Sequence, residues 1–180
     1  MTLQAFVALS ARAWTLTVLS LIATGTPARL SPLATAASAS RAALAASLDR
    51  CVELGLLTPN TGHGHPLRPA FALTNPGRRV ADLAQQLLHA LDSDEERILV
   101  RRSWTLPVLV ALDQQRSFGE LRRILAPITD RALSITLKEL RNARWIQRQS
   151  LDDGSRRQVA YRCKGRGQRV RDMLAAIVEL

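Results

Sequence analysis

The chain has 180 residues, 47% of them hydrophobic, and a formal charge of +10. That hydrophobic content supports a packed core and excludes a disordered chain. The charge, 25 Lys and Arg against 15 Asp and Glu, points to a polyanionic partner, most simply nucleic acid.

The first apolar stretch, residues 5–25, resembles a signal or membrane segment in composition alone. No positive charge precedes it, Arg12 interrupts it, and its second half recurs inside the chain at Trp104–Leu109. It therefore reads as buried helix, with no membrane partner. Helices are expected over residues 4–24, 31–37 and 40–54. A strand opens at Leu56-Leu57, a Gly/His/Pro-rich wing covers residues 60–69, and a return strand covers 71–74. Residues 78–91 form a closing helix with Val80, Leu83, Ala84, Leu87 and Leu91 on one side, and Asp92-Ser93 is the boundary.

The second half follows the same order with clearer signals. Ser93 with Glu96 forms a capping box for a helix running toward Leu112, which Pro107 is expected to kink or divide. Residues 117–125 form a short helix with Phe118, Leu121 and Leu125 on one face, and Ala126-Pro127-Ile128 turns the chain. Thr129 caps a third helix over residues 130–142, with Leu133, Leu137 and Leu140 inward at i, i+4 and i+7. A strand begins at Trp145-Ile146, Asp153-Gly154 makes a hairpin turn, and Val159–Tyr161 returns. Gly165 and Gly167 precede a last helix over residues 168–178.

These halves align as diverged copies. Trp14-Thr15-Leu16-Thr17-Val18-Leu19 returns as Trp104-Thr105-Leu106-Pro107-Val108-Leu109. Leu44, Leu48 and Cys51 match Leu133, Leu137 and Leu140, and Phe71 and Gly77 match Tyr161 and Gly167. The fold expected is mainly α (α+β): two tandem winged helix-turn-helix lobes, residues 1–91 and 92–180, forming an internal pseudo-dimer. Cys51 sits at a helix core position and Cys163 at a strand end. Both read as small buried hydrophobes, without a disulfide framework and in keeping with a reducing cytoplasm.

The order Trp104, Val108-Leu109, Phe118, Glu120-Leu121, Arg123, Leu125, Ile128-Thr129, Leu133, Leu137, Leu140, Tyr161 and Gly167 resembles the HxlR-type winged-helix regulators, relatives of the MarR group. The likeness covers residues 100–178 well and 10–90 more loosely. Members are usually single winged helices that pair as homodimers on inverted-repeat operators. The resemblance thus implies a bacterial, cytoplasmic, nucleoid-associated regulator, here fused as a dimer in one chain. The departures are Ala13 and Ser103 where a basic residue is usual, and Arg144-Trp145-Ile146 for Gly-Leu-Val/Ile. Cys163-Lys164 replaces the Leu-Thr kept at Leu73-Thr74. The sensor cysteine of some members is missing from both copies, so thiol sensing by that route is not supported.

On this fold the outward face of the third helix of the second lobe shows Thr129, Asp130, Arg131, Ser134, Ile135, Lys138 and Arg141, with Arg131 and Ser134 presented to base edges and Lys138 and Arg141 nearer phosphates. Arg156 and Arg157 on the wing are placed to reach phosphate or the minor groove, and Arg122 and Arg123 on the preceding helix to clamp the backbone. The first lobe offers less: Ser40 and Arg41 on its helix, Arg68 on its wing, Ala42, Ala45 and Ala46 between, and Asp49 where the second lobe has Lys138. The second lobe is therefore expected to dominate contact with double-stranded DNA. Trp14 and Trp104 are candidates for core or lobe-interface packing, or for a ligand pocket between lobes. His63 and His65 alone make a poor metal site.

The leading reading is a sequence-specific regulator, most simply a repressor. A small-molecule-binding or sequestering protein on a repurposed pseudo-dimer is the alternative. No triad, phosphate loop, carboxylate pair or metal cluster has convincing spacing, so neither catalysis nor a cofactor is implied. An effector and homodimerisation are left open.

Overall fold

The computed structural model describes residues 1–60, 70–152 and 157–178. By packing the chain divides into an N-terminal unit, Ala8–Arg101, and a C-terminal unit, Met1–Val7 with Arg102–Leu180. The repeat boundary expected at 91/92 falls in a connection between helices, ten residues before this division.

The first helix, α1 (Leu3–Ser10), ends at a break and α2 (Thr15–Ala23) follows. From α2 onward the N-terminal unit holds α3 (Leu30–Ala37), α4 (Arg41–Glu53), β1 (Leu57–Asn60), β2 (Ala70–Leu73), α5 (Asn75–His89) and α6 (Asp94–Val100), and the division at Val7/Ala8 falls within α1. The C-terminal unit contains α7 (Thr105–Ala111), β3 (Arg116–Ser117), α8 (Phe118–Ile124), α9 (Asp130–Asn142), β4 (Ile146–Asp152), β5 (Arg157–Cys163) and α10 (Arg166–Ala175). The mainly helical α+β class expected from the sequence is the one observed.

Two expected long helices are each two helices, and Pro107 divides neither. The chain breaks at 101–104, ahead of Pro107, and at 11–14, where there is no proline. Pro107 occupies the first turn of α7, where its missing N–H has no intrahelical acceptor to lose. The breaks are built alike: the Thr15 amide donates to the Arg12 carbonyl and that of Thr105 to Arg102, both across buried threonines. The Thr15 hydroxyl donates to the Leu9 and Arg12 carbonyls at 2.9 and 3.1 Å, whereas the Thr105 hydroxyl is buried without a partner among the described residues.

The central helix of each unit has the same inner face and the same exit. Ser40 caps α4 by accepting from the Ala43 amide at 3.2 Å, and Thr129 caps α9 by accepting from the Ala132 amide at 3.2 Å. Leu44, Leu48 and Cys51 are buried in one, Leu133, Leu137 and Leu140 in the other. A residue with left-handed backbone then reverses the chain: Gly55 at φ 66° and Arg144 at φ 61°. The next amide bonds back into the helix, Leu56 to the Cys51 carbonyl at 2.8 Å and Trp145 to the Leu140 carbonyl at 2.9 Å.

The hairpins also correspond. β1 and β2 pair antiparallel from Leu57↔Leu73 to Asn60↔Ala70, and β4 and β5 from Ile146↔Cys163 to Asp152↔Arg157. β3 adds a third strand beside β5, with Arg116 opposite Tyr161. Among the described residues of the N-terminal unit, a bond from the Phe71 amide to the Ala28 carbonyl at 2.8 Å occupies that place. The closing helices start against the first strands so closely that a Cβ on Gly77 would overlap the Leu56 carbonyl, and one on Gly167 the Trp145 carbonyl. α5 begins at Asn75, earlier than expected, because Thr74 caps it by accepting from the Gly77 amide.

No single described helix is long and apolar enough to cross a membrane; α1 and α2 reach that composition only if joined across their break. Both cysteines are buried, and burial pushes each thiol up to about 12. This agrees with their reading as small hydrophobes.

Candidate nucleic-acid interface

The site is built on α8, the turn after it and α9. Ser117 starts α8 with a reciprocal capping box: its hydroxyl accepts from the Glu120 amide at 3.3 Å, and the Glu120 carboxylate accepts from the Ser117 amide at 2.7 Å. The Ser117 hydroxyl, and then its amide, hold the Glu120 carboxyl below its ordinary range. This box was legible as Ser-x-x-Glu yet was expected only at Ser93. There the serine does accept from the Glu96 amide, but Glu96 reaches the amide of Asp92 instead.

On α9 the inner leucines force the outer row. Arg131, Ser134, Ile135, Lys138 and Arg141 are all exposed, as is the cap residue Thr129. They recur at helical spacing over ten residues, a run of about 15 Å. A major groove about 12 Å wide admits an α-helix, whose diameter with side chains is about 10–12 Å. Ile135, 46% exposed, is an apolar spot in the middle of the row; an isolated side chain of this kind suits a thymine methyl.

Arg122 reaches forward to Asp130 at 2.5 Å, with both side chains well exposed. The Asp130 carboxylate is favourable to the α9 N-terminus but repulsive to phosphate, and the guanidinium beside it offsets that second effect. Arg123 is exposed next to it. Together with Gly119 and Arg131 these residues line a concavity of about 860 Å³ at the turn. On the flank of α9, Arg102 pairs with Glu139 at 2.8 Å, which leaves the carboxylate compensated beside the basic row.

Arg148 and Arg162 add exposed cations on the hairpin. None of Arg102, Arg148 and Arg162 was anticipated: their partners and strand faces depend on register, and no local motif marks them. Arg156 and Arg68 lie outside the described residues, as do His63 and His65 and the Asp153-Gly154 turn, and of Arg157 only the backbone is described.

The corresponding face of α4 differs. Ser40, Arg41 and Ala42 are exposed, Ala45, Ala46 and Val52 half-buried, and Asp49 is exposed where α9 carries Lys138. Arg50 is drawn to Glu53 at 2.9 Å. Trp14 and Trp104 are half-buried at the starts of α2 and α7. The Arg101 guanidinium lies 4.5 Å from the Trp14 ring centre, a cation–π contact. Among the described residues no group of three or more His, Cys, Asp or Glu is arranged to hold a metal ion.

Residues 99–180 match the family model described as HxlR-like helix-turn-helix. The match covers α7 to α10, the part whose geometry forms the basic row, and residues 1–98 lie outside it. Curated proteins and solved structures give no match to the chain. The C-terminal residues are therefore similar to a family of regulators, not of enzymes. The class supported is a helix-turn-helix, DNA-binding transcriptional regulator.

Proposed function

We propose that the protein is a sequence-specific transcriptional regulator, a repressor acting by operator occlusion, in which the C-terminal unit supplies most of the DNA contact. Arg131 and Ser134 read base edges, Ile135 meets a thymine methyl, and Lys138 and Arg141 hold phosphates. Arg123, with Arg122 shared between phosphate and Asp130, clamps the backbone from α8. Arg156 and Arg157 do so from the wing. The observation that carries this reading is the exposed basic row on α9 within the residues similar to the helix-turn-helix family.

The matched caps, buried triplets, strand exits and Gly77/Gly167 approaches support a tandem duplication. On that reading the chain is a single-chain pseudo-dimer whose N-terminal half, through Ser40, Arg41 and Arg68, contributes weakly. The test is selection of genomic fragments by the purified full chain across a salt series. Enrichment of a defined sequence, with affinity falling steeply as salt rises, is expected. A folded protein that enriches no sequence at low salt would overturn the proposal.

A further inference from the structure

Three α4 positions that correspond to the basic row of α9, those of Ala45, Asp49 and Val52, border a concave surface. A cavity of about 1120 Å³ opens there, entirely within the N-terminal unit. Its floor is apolar: Ala45, Leu48 and Val52 from α4, with Leu30, Pro32 and Phe71 opposite. Two guanidiniums, Arg29 and Arg41, stand on its wall, and neither has an ion-pair partner among the described residues. Two carboxylates also line it. Glu53 is taken up by Arg50, and Asp49 lies eight residues along α4 from Arg41, about 12 Å away.

We infer that this cavity is a binding site for an amphipathic organic anion: an apolar ring or chain body carrying one acidic group. Arg29 and Arg41 pair with the acidic group, because Asp49 repels it from the far end. The body covers Ala45 and Val52, which stand at the α4 positions of Ser134 and Arg141, above the buried Leu48. The volume suits a small molecule with an apolar majority and few polar contacts. A polyanionic duplex fits this face poorly, since Asp49 sits where phosphate would pass. The inference concerns the N-terminal unit alone and does not depend on the C-terminal unit binding DNA.

The test is calorimetric titration of the full chain, without DNA, using 2-naphthoate and decanoate, with uncharged 2-naphthylmethanol for comparison. One saturable site is expected for the acids, with the alcohol at least about tenfold weaker. Arg29→Ala with Arg41→Ala should weaken the acids about tenfold and the alcohol less than about threefold. Ala45→Trp should remove all binding by filling the floor. Ala42→Trp, on the same helix but outside the cavity, should change nothing. Should Ala45→Trp fail to fold, Arg41→Glu at its exposed position tests the same site and should remove the preference for acids. The inference is overturned if neither acid binds below about 1 mM, or if acid and alcohol bind equally. Binding that survives in folded Ala45→Trp, or displacement of the acids by duplex DNA in a protein carrying Arg131→Ala and Lys138→Ala, would also overturn it.

Discussion

α4 and α9 have the same inner face and opposite outer ones. Each buries a triplet at i, i+4 and i+7, each is capped by a hydroxyl, and each leaves through a left-handed residue. Outward, α9 shows Arg131, Ser134, Ile135, Lys138 and Arg141, whereas the same α4 positions hold the exposed Ala42, the half-buried Ala45 and Ala46, Asp49 and the half-buried Val52, with Arg41 at the place of Asp130. The inner face is under packing constraint, because losing a buried leucine leaves a cavity that destabilises by about 2–5 kcal/mol. The outer face is under no such constraint and can diverge freely. Charge follows it: residues 1–90 hold seven arginines against three acids, residues 91–180 eighteen cations against twelve acids. Net charge is of the same sign in both halves, so the position of the charges along one helix, more than the total, distinguishes them.

The sharpest way to break the contrast is to exchange the residues that define it. Lys138→Asp makes α9 resemble α4 and should lower affinity for the selected sequence by about tenfold to a hundredfold, measured by fluorescence anisotropy, since two units of charge change beside phosphate. Asp49→Lys, the reverse exchange, should raise nonspecific affinity by less than about tenfold without altering the sequence selected.

Next come the positions where the halves agree. Gly77→Ala and Gly167→Ala each force a methyl into a carbonyl oxygen, and each should destabilise by about 1–3 kcal/mol in denaturant unfolding. The left-handed exits separate the halves again. Arg144→Gly should stabilise by about 0.5–1 kcal/mol, and Gly55→Arg should destabilise by about 1–2 kcal/mol, because only glycine adopts this backbone without strain. A failure of Arg144→Gly to raise the unfolding midpoint would mean that the Arg144 side chain stabilises its own strained position.

The smallest effect is on the thiols. With the thiols pushed from 9.0 to about 12, Cys51 and Cys163 should stay unreactive to alkylating agents at pH 8 in the folded protein and react on unfolding. The native state holds these protons more tightly than the unfolded chain does. Their contribution to stability is therefore complete below pH 9 and is lost as pH rises from 9 toward 12.

What could be read from sequence was whatever a local period or a cap encodes. Thr129 and the two buried triplets lay where expected, and burying the triplet on α9 dictated which side chains face out. The breaks at 11–14 and 101–104 were not legible: continuous apolar composition hides a bend made by buried threonines, and Pro107 drew attention to the wrong residue. Nor were the Arg122–Asp130 and Arg102–Glu139 pairs, which form when separate elements dock, eight and thirty-seven residues apart. The α4 sequence showed Asp49 in the place of Lys138, but Ala45 and Val52 become a cavity floor only when α3 and β2 bring Leu30, Pro32 and Phe71 opposite them. Arg144 was visible as a departure from glycine, and its positive φ gives that departure a physical meaning.

The unequal use of the two helices is tested most directly by the salt dependence of binding to the selected sequence. Wild type is compared with Arg131→Ala/Lys138→Ala and with Arg41→Ala. Losing two contacts on α9 should reduce the slope of log affinity against log salt by about 1–2, whereas losing Arg41 should change it by less than about 0.3. Equal reductions in the two variants would contradict the claim that the C-terminal unit dominates, and would make α4 a second reader of DNA.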